Sequence, residues 1–379
     1  MLYRSMKRSP DKISILGFGC MRLPVKDQRI ENIDDEKFTE MLHYAIDNGV
    51  NYVDTAWPYH NEASEPAVGR ALSGGYRDKV FLATKLPTWL IESREDMDFY
   101  LNEQLKRLQT DHIDYYLVHA LTKTRWKKIT SHDVFDFLDS ARKDGRIRNA
   151  GFSFHDELPL FKEIVDSYDW DFCQIQYNYM DENYQAGKEG LDYAASKDLG
   201  VIIMEPLRGG HLAGNIPEDI RSIWEETNEG TSPAGWGLRW VWSHEAVTTV
   251  LSGMSDMEQV RDNVDTAKKG HVDNLSADEV DMISRVRDIY RQRMRVPCTN
   301  CRYCMPCPAG VNIPECFNRL NIAYMFEDPE FAKTTYKIFT RENGKASLCI
   351  ECGKCEEVCP QNIAIRESLK EVVHLFEKE

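Results

Sequence analysis

The sequence predicts an α/β protein in which a (β/α)8 TIM barrel is followed by a small, mostly helical, cysteine-rich domain. Three observations lead to this prediction. Up to about residue 270, short β-branched runs alternate with amphipathic helical stretches. Nine of the 11 cysteines lie after residue 297. One helical segment with a regular apolar repeat joins the two regions.

Eight strand candidates occur in the first region. They are ISILGFG from Ile13, NYVDT from Asn51, VFLATK from Val80, IDYYLVH from Ile113, NAGFS from Asn149, FCQIQY from Phe172, VIIME from Val201 and VTTVLSG from Val247. Helices are predicted between them, among others over 35–48, 94–108, 134–144, 158–167 and 189–199, and Ser232 with Pro233 predicts the start of another. This alternation favours a closed barrel. A doubly wound sheet is the alternative, but no G-x-G-x-x-G follows the first strand.

The segment LSADEVDMISRVRDIYRQRM predicts the joining helix. Ser276 and Glu279 form a capping box, in which two side chains satisfy backbone groups of the first turn. Apolar residues then recur at helical spacing, at Val280, Ile283, Val286 and Ile289. The composition afterwards changes to cysteine, proline and short polar segments. We therefore expect a barrel over 1–273, a connecting helix over 274–296 and a separate domain over 297–379.

Ionisable residues stand at the ends of three successive barrel strands. These residues are Asp54, Lys85 and His119, and Tyr59 follows Asp54 by five positions. The C-terminal strand ends of such a barrel meet at one mouth, where enzyme chemistry takes place. A nearby ammonium group lowers a tyrosine pKa, an aspartate keeps a lysine charged, and a histidine can donate to a carbonyl oxygen. Taken singly, each residue also fits a structural role; together they are candidates for a catalytic group.

Two cysteine runs have the spacing of metal ligands. The first, C-x2-C-x2-C-x2-C-P, consists of Cys298, Cys301, Cys304 and Cys307. The second, C-x2-C-x2-C-x3-C-P, consists of Cys349, Cys352, Cys355 and Cys359. The second run matches the bacterial ferredoxin pattern, and the first is one residue shorter before its last cysteine. The spacing favours iron–sulfur clusters, and two zinc ions with four cysteines each are the alternative.

Charge and hydropathy argue against several classes of partner. Lys and Arg number 47 against 62 Asp and Glu, which gives a net charge of −15. Nucleic acid and anionic membrane surfaces are therefore not expected to bind. The first residues contain no apolar signal-peptide core, and no apolar run approaches the length of a membrane span. We expect a cytoplasmic protein whose cysteines are metal ligands rather than disulfides.

Over roughly residues 1–270 the chain resembles the aldo/keto reductase superfamily. The segments that carry the resemblance are DTAWPYHNE, FLATK, DYYLVHA, GFS and SGMSDMEQVRDN. The resemblance implies a catalytic tetrad made of Asp54, Tyr59, Lys85 and His119, with Tyr59 as general acid. It also implies hydride transfer between NAD(P)H and a small-molecule carbonyl or alcohol.

The same resemblance implies a set of cofactor-binding residues. Ser153 and Gln174 match those that hold the nicotinamide carboxamide, and Met204 stands where the family places a ring against the nicotinamide. The pyrophosphate loop corresponds to Pro206, Leu207, Gly209, Gly210 and Leu212. The adenosine-phosphate stretch corresponds to Gly253, Ser255, Gln259 and Asn263. Because Gly253 and Gln259 replace basic residues that pair with a 2′-phosphate, NAD and NADP both stay open.

The cysteine runs are similar to a ferredoxin-like tail found on a branch of the aldo/keto reductases. This implies two [4Fe-4S] clusters, one bound by Cys298, Cys301, Cys304 and Cys359, the other by Cys349, Cys352, Cys355 and Cys307. The segment between the runs predicts helices. Nicotinamide transfers two electrons together and a cluster passes one, so a ferredoxin or flavoprotein partner is expected. The alternative function is an electron-transfer or redox-sensing protein whose barrel binds nucleotide without carbonyl turnover.

Overall fold

A computed structural model of the protein describes residues 1–214, 216–227, 230–298, 300, 303–359 and 361–378. The chain folds into two compact units. The first comprises Met1–Leu212 and Thr231–Ala277, and the second comprises Ala213–Gly230 and Asp278–Glu379. No helix within the described ranges is long and apolar enough to cross a membrane.

The first unit contains a closed barrel of eight parallel strands, which confirms the predicted (β/α)8 architecture. Two short antiparallel strands, β1 (Tyr3–Ser5) and β2 (Lys12–Ser14), precede it. The barrel strands are β3 (Leu16–Gly19), β4 (Tyr52–Asp54), β5 (Phe81–Leu86), β6 (Ile113–Leu121), β7 (Ile147–Phe154), β8 (Phe172–Gln176), β9 (Gly200–Met204) and β10 (Thr249–Ser252). They pair in chain order, and β10 closes the barrel on β3.

Helices follow the strands in the predicted alternation. They are α1 (Asp35–Asp47), α2 (Ser64–Ala71), α3 (Arg94–Leu108), α4 (Lys123–Thr130), α5 (Val134–Lys143), α6 (Leu158–Ser167), α7 (Gly187–Ser196), α8 (Glu218–Trp224), α9 (Pro233–Trp242), α10 (Met257–Ala267), α11 (Ala277–Gln292), α12 (Ile313–Met325), α13 (Pro329–Thr340), α14 (Lys354–Glu357) and α15 (Ile365–Phe376). The Ser232 side chain caps α9, as the Ser-Pro pair predicts. Helix α3 carries a full capping box.

The hairpin of β1 and β2 covers one end of the barrel. Met6 and Ile13 share a fully buried cluster with Tyr52, Tyr115 and Phe172 of the barrel strands. Tyr52 and Phe172 are the first residues of β4 and β8, so the cluster fills the N-terminal end of the barrel. The hairpin thereby leaves the opposite, C-terminal mouth for chemistry.

An arginine ties this hairpin to the helical layer. The Arg4 guanidinium donates hydrogen bonds to the carbonyl oxygens of Trp242, His244 and Val247. Burial lowers the pKa of Arg4 to about 10. The hairpin is therefore fixed by hydrogen bonds as well as by apolar packing.

An irregularity in β6 lies beside the barrel mouth. The register between β6 and β7 shifts between Val118 and Leu121. Ala120 adopts φ of 52°, in the left-handed region, and its N–H donates to Oγ of Ser153 at 2.7 Å. Such a bulge changes the direction in which neighbouring side chains point. Here the residue next to it is His119.

The second unit is helical, as predicted for the segment between the cysteine runs. It contains α8, nearly all of α11, and α12–α15. Helix α12 packs against α13 and α15, and the rings of Tyr336 and Phe376 stack with centroids 5.0 Å apart. Asp219 of α8 forms an ion pair with Arg293 at 2.7 Å. The loop after β9 therefore contributes to this unit, and no sequence signal indicated it.

Candidate active site and cluster cavity

A buried ion pair lies at the mouth of the barrel. Nζ of Lys85 donates to both carboxylate oxygens of Asp54, at 2.7 and 2.8 Å, and to the carbonyl oxygen of Thr55 at 2.7 Å. The Lys85 side chain has no exposed surface, and that of Asp54 is 3 % exposed. Asp54 of β4 is the register partner of Ala83 in β5. Lys85 is two residues further along β5 and lies on the same face of the strand as Ala83, which brings its side chain next to Asp54.

Tyr59 lies next to this pair. Nζ of Lys85 is 5.1 Å from the centre of the Tyr59 ring. Burial disfavours the charge on Lys85, but Asp54 and Tyr59 outweigh burial and raise the pKa of Lys85. Burial also raises the pKa of Tyr59, and the charge of Lys85 acts in the opposite direction without reversing it. Lys85 thus acts on the Tyr59 pKa in the predicted direction, but burial outweighs it and the pKa is raised rather than lowered.

His119 completes the group. Its ring centroid is 6.3 Å from that of Tyr59, in an edge-on arrangement. Burial, then the charge of Lys85, holds the pKa of His119 well below its usual range, so the ring is neutral at pH 7. Nδ1 of His119 is buried and has no hydrogen-bond partner within the part of the chain that the structure describes. The structure thus brings together all four predicted residues around one mouth.

Ser153 and Gln174 lie side by side on the next two strands, where their Cα atoms are register partners. Nε2 of Gln174 contacts Sδ of Met204 at 3.5 Å. Oε1 of Gln174 is buried without a hydrogen-bond donor among the described residues. A buried acceptor without a donor carries a desolvation cost. The NH2 group of a nicotinamide carboxamide could donate the missing hydrogen bond to this oxygen.

Five of the predicted metal ligands line one cavity in the second unit. The cavity has a volume of about 290 Å³, and its lining includes Cys307, Cys349, Cys352 and Cys355. Cys304 also reaches it, and Ile350, Val358 and Leu369 supply apolar walls. Cys304 and Cys307 belong to the first run and the other three to the second. The chain therefore brings cysteines of both runs to one place.

The cysteine-rich region contains four further cysteines. Sγ of Cys298 accepts a hydrogen bond from the Asn300 N–H at 3.5 Å, and Cys359 is partly buried. Cys301 lies outside the described residues. Cys316 is buried, and burial raises the pKa of its thiol to about 12. That high value fits a structural cysteine.

Comparison with known proteins decides the family. Residues 15–288 match the aldo/keto reductase family. The chain belongs to that family. As an aldo/keto reductase, it is an oxidoreductase that acts on small molecules, and its residues 297–364 match the 4Fe-4S dicluster domain.

Several relatives share the aldo/keto reductase region. The uncharacterized oxidoreductase YrpG of Bacillus subtilis is 26% identical over 305 residues, which cover 70% of this chain and 90% of YrpG. Glyoxal reductase of the same organism is 30% identical over 58% of this chain and 74% of its own length. The holo form of aldo-keto reductase AKR11C1 from Bacillus halodurans superposes with a TM-score of 0.63 and 26% identity, covering 75% of this chain and 96% of that one.

The predicted pyrophosphate loop of this aldo/keto reductase is a tight turn. Gly209 and Gly210 take φ of 73° and 100°, which favours glycine at both positions. The N–H groups of Gly210 and Leu212 donate to the carbonyl oxygen of Leu207. Pro206 is buried, as is the Leu212 side chain.

The predicted adenosine-phosphate stretch begins α10. Oε1 of Gln259 accepts from the Ser255 N–H at 2.9 Å, and its Nε2 donates to Asp256 at 2.8 Å. Asn263 is buried and donates to Oγ of Ser252 at 3.0 Å. Asn263 is thus turned toward the barrel wall, whereas Ser255 and Gln259 lie at the surface.

Sequence reasoning missed one cation near these loops. A methyl group on Gly209 would lie 3.3 Å from Nη2 of Arg22, and one on Gly253 would lie 3.5 Å from Cβ of Arg22. The Arg22 side chain therefore lies between the loops that follow β9 and β10, although the residue itself follows β3. Only the closure of β10 onto β3 brings these positions together.

Proposed function

We propose that this aldo/keto reductase transfers hydride between NAD(P)H and the carbonyl or alcohol group of a small molecule at the mouth formed by Asp54, Tyr59, Lys85 and His119. The observation that carries the proposal is the buried Lys85–Asp54 pair beside Tyr59. A bound nicotinamide supplies the hydride. The Tyr59 hydroxyl gives its proton to the substrate oxygen, and Lys85 stabilises the resulting phenolate.

The other polar residues have supporting roles in this proposal. Asp54 keeps Lys85 charged and oriented through two hydrogen bonds. The neutral His119 ring donates one N–H to the substrate oxygen, which positions the carbonyl for attack. Ser153 and Gln174 hold the carboxamide, with Met204 beside Gln174. The loops at 206–212 and 253–263 would hold the phosphates, and the cofactor is either NADH or NADPH.

Replacement of one hydroxyl tests this role. Tyr59→Phe removes the proton donor while the ring stays, so kcat for carbonyl reduction should fall by about 10²- to 10⁴-fold. Anaerobic NADH and NADPH oxidation against a carbonyl panel is the measurement. Tyr76→Phe is the matched control, because Tyr76 is a surface residue bonded to Asp47. Equal activity of Tyr59→Phe and the unaltered enzyme would remove the tetrad from the mechanism.

We further propose that the segment 297–379 binds two [4Fe-4S] clusters and exchanges electrons with a ferredoxin or flavoprotein. In this proposal residues 1–273 carry out the hydride transfer, and residues 274–296 connect the two parts. The cavity lined by Cys304, Cys307, Cys349, Cys352 and Cys355 supports the second cluster, to which we assign all of these cysteines except Cys304. Cys298, Cys301, Cys304 and Cys359 would bind the first.

The arrangement of the thiols favours clusters over zinc. Four thiolates on one zinc ion lie about 3.8 Å apart, because each Zn–S bond is about 2.3 Å. Within the described ranges, no group of three or more histidine, cysteine or acidic side chains is arranged to hold a single ion. A cube of iron and sulfide accepts four thiolates that are spread around a cavity.

Iron content tests the ligand assignment. Protein purified without oxygen should contain about eight irons per chain, and Cys307→Ser should contain about four. Cys316→Ser should keep the full content, since that buried cysteine does not line the cavity. Metal analysis with electron paramagnetic resonance of the reduced protein is the measurement. Zinc in place of iron, or unchanged iron in Cys307→Ser, contradicts the assignment.

A further inference from the structure

Arg125 lies beside the candidate active site but takes no part in the proposed mechanism. It belongs to α4, in the segment after β6. Its Nη1 donates to the carbonyl oxygen of Ala120 at 2.9 Å. Its guanidinium carbon is 5.3 Å from the Trp89 ring, whose centroid is 5.3 Å from that of His119. The guanidinium and the His119 ring thus both lie beside the Trp89 ring.

The position of Arg125 is costly for a cation. The side chain is half-buried, and burial lowers the pKa of Arg125. Among the residues that the structure describes, no carboxylate forms an ion pair with Arg125, although the chain has an excess of acidic residues. Three other half-buried arginines form ion pairs, Arg77–Asp114, Arg107–Glu62 and Arg146–Asp98, and the half-buried Arg4 instead donates to several carbonyl oxygens. A cation that loses hydration without gaining an anion destabilises the fold unless a ligand offsets the loss.

The surrounding charges have the same sign. Helix α4 has the sequence KTRWKKIT, with no acidic residue. Lys128 is neutralised by Glu92 at 2.7 Å, whereas Arg125 adds its charge to the site. That charge contributes to the lowered pKa values of His119 and His155. Its field therefore reaches the place where the substrate carbonyl is expected.

We propose that Arg125 binds a carboxylate group of the substrate, so that the enzyme acts on small oxo acids or the corresponding hydroxy acids. A guanidinium offers five N–H donors in a planar fork, and the bond to Ala120 uses one of them. The remaining donors suit two carboxylate oxygens. Trp89 supplies an apolar surface beside both Arg125 and His119. The inference rests on the proposed reaction at Tyr59 and His119, and it names the substrate class of that site.

Matched substrate pairs test the proposal. Each oxo acid is assayed beside its methyl ester, with pyruvate and methyl pyruvate as the shortest pair and longer chains to follow. Glycolaldehyde phosphate and glycolaldehyde form a phosphate arm. The unaltered enzyme should prefer acids to esters by at least about tenfold in kcat/KM, and Arg125→Gln should remove that preference. Arg125→Lys should lie between them, and Lys127→Gln, an exposed cation of the same helix, should keep the preference.

The outcomes separate the two proposals. A preference for acids that persists in Arg125→Gln, or a preference for esters in the unaltered enzyme, overturns the role of Arg125 while the reaction stands. A preference confined to the phosphate pair overturns the carboxylate assignment. If no pair is turned over, calorimetric titration with pyruvate and the longer oxo acids decides. Binding that is lost in Arg125→Gln but kept in Tyr59→Phe supports the anion site without the reaction, and no binding to the unaltered enzyme overturns it.

Discussion

At the scale of single residues, burial sets the charge states of the candidate catalytic groups. It raises the pKa of Tyr59 and lowers that of His119, and Asp54 keeps Lys85 charged. At neutral pH the site therefore holds a protonated phenol, a neutral imidazole and an ammonium group. A raised pKa does not disable Tyr59 as an acid, because hydride addition to a carbonyl generates an alkoxide, which is a stronger base than a phenolate.

These directions predict a flat pH profile for reduction. The ordinary pKa of histidine is 6.5 and that of tyrosine is 10.0. His119 loses its proton below 6.5 and Tyr59 keeps its proton above 10, so neither group titrates between those values. We expect kcat for carbonyl reduction at saturating cofactor to stay level across this window. An inflection near pH 6.5 that disappears in His119→Asn would contradict the neutral histidine.

The sequence predicts which four residues lie at the barrel mouth, but it does not predict the net direction of the Tyr59 pKa shift. Asp54, Lys85 and His119 end successive strands, and parallel strands bring such ends together. The net direction of the Tyr59 pKa depends on how much protein surrounds the ring, which a spacing rule does not contain. Arg22 and Arg125 were missed for a related reason. Each stands in a loop or helix whose neighbours are set by the closed barrel.

At the scale of elements, three loops from distant parts of the chain meet at Arg22. The residue follows β3 and lies between Gly209 after β9 and Gly253 after β10. A guanidinium supplies positive charge and several N–H donors, which suit phosphate oxygens. We infer that Arg22 contacts the pyrophosphate of the cofactor.

Cofactor kinetics test this inference. Arg22→Met removes the charge and keeps an apolar stem, so KM should rise about tenfold for NADH and for NADPH alike. Arg29→Met is the control, since Arg29 is an exposed residue of the same loop and pairs with Glu31. A KM change confined to NADPH would place Arg22 at the 2′-phosphate instead. Unchanged KM values would remove it from the cofactor site.

The alternation of strands and helices was predictable because each element carries its own apolar period. The β1–β2 hairpin was not, because three-residue strands are too short to show alternation. Its place depends on Met6 and Ile13 entering the barrel cluster and on the carbonyl groups that Arg4 reaches. Both are contacts between residues far apart in the chain.

At the scale of the whole molecule, net charge and local charge act in opposite directions on an anionic substrate. The chain carries a net charge of −15. At physiological ionic strength, charges beyond about 8 Å are largely screened. Charges close to the mouth therefore set the local field, so the net negative charge of the chain does not oppose the proposed binding of a carboxylate by Arg125.

Ion pairs between the segment after β9 and the region of α11 have a consequence for the dissection of this protein. Asp219 and Glu226, which precede the last barrel strand, form ion pairs with Arg293 and Arg285. Truncation of the chain before these arginines would remove the ion-pair partners of Asp219 and Glu226. The truncated protein would therefore be altered in the loop after β9 as well as lacking the C-terminal residues. Serine substitution of the cysteines is therefore the better way to test the proposed clusters separately from the proposed hydride transfer.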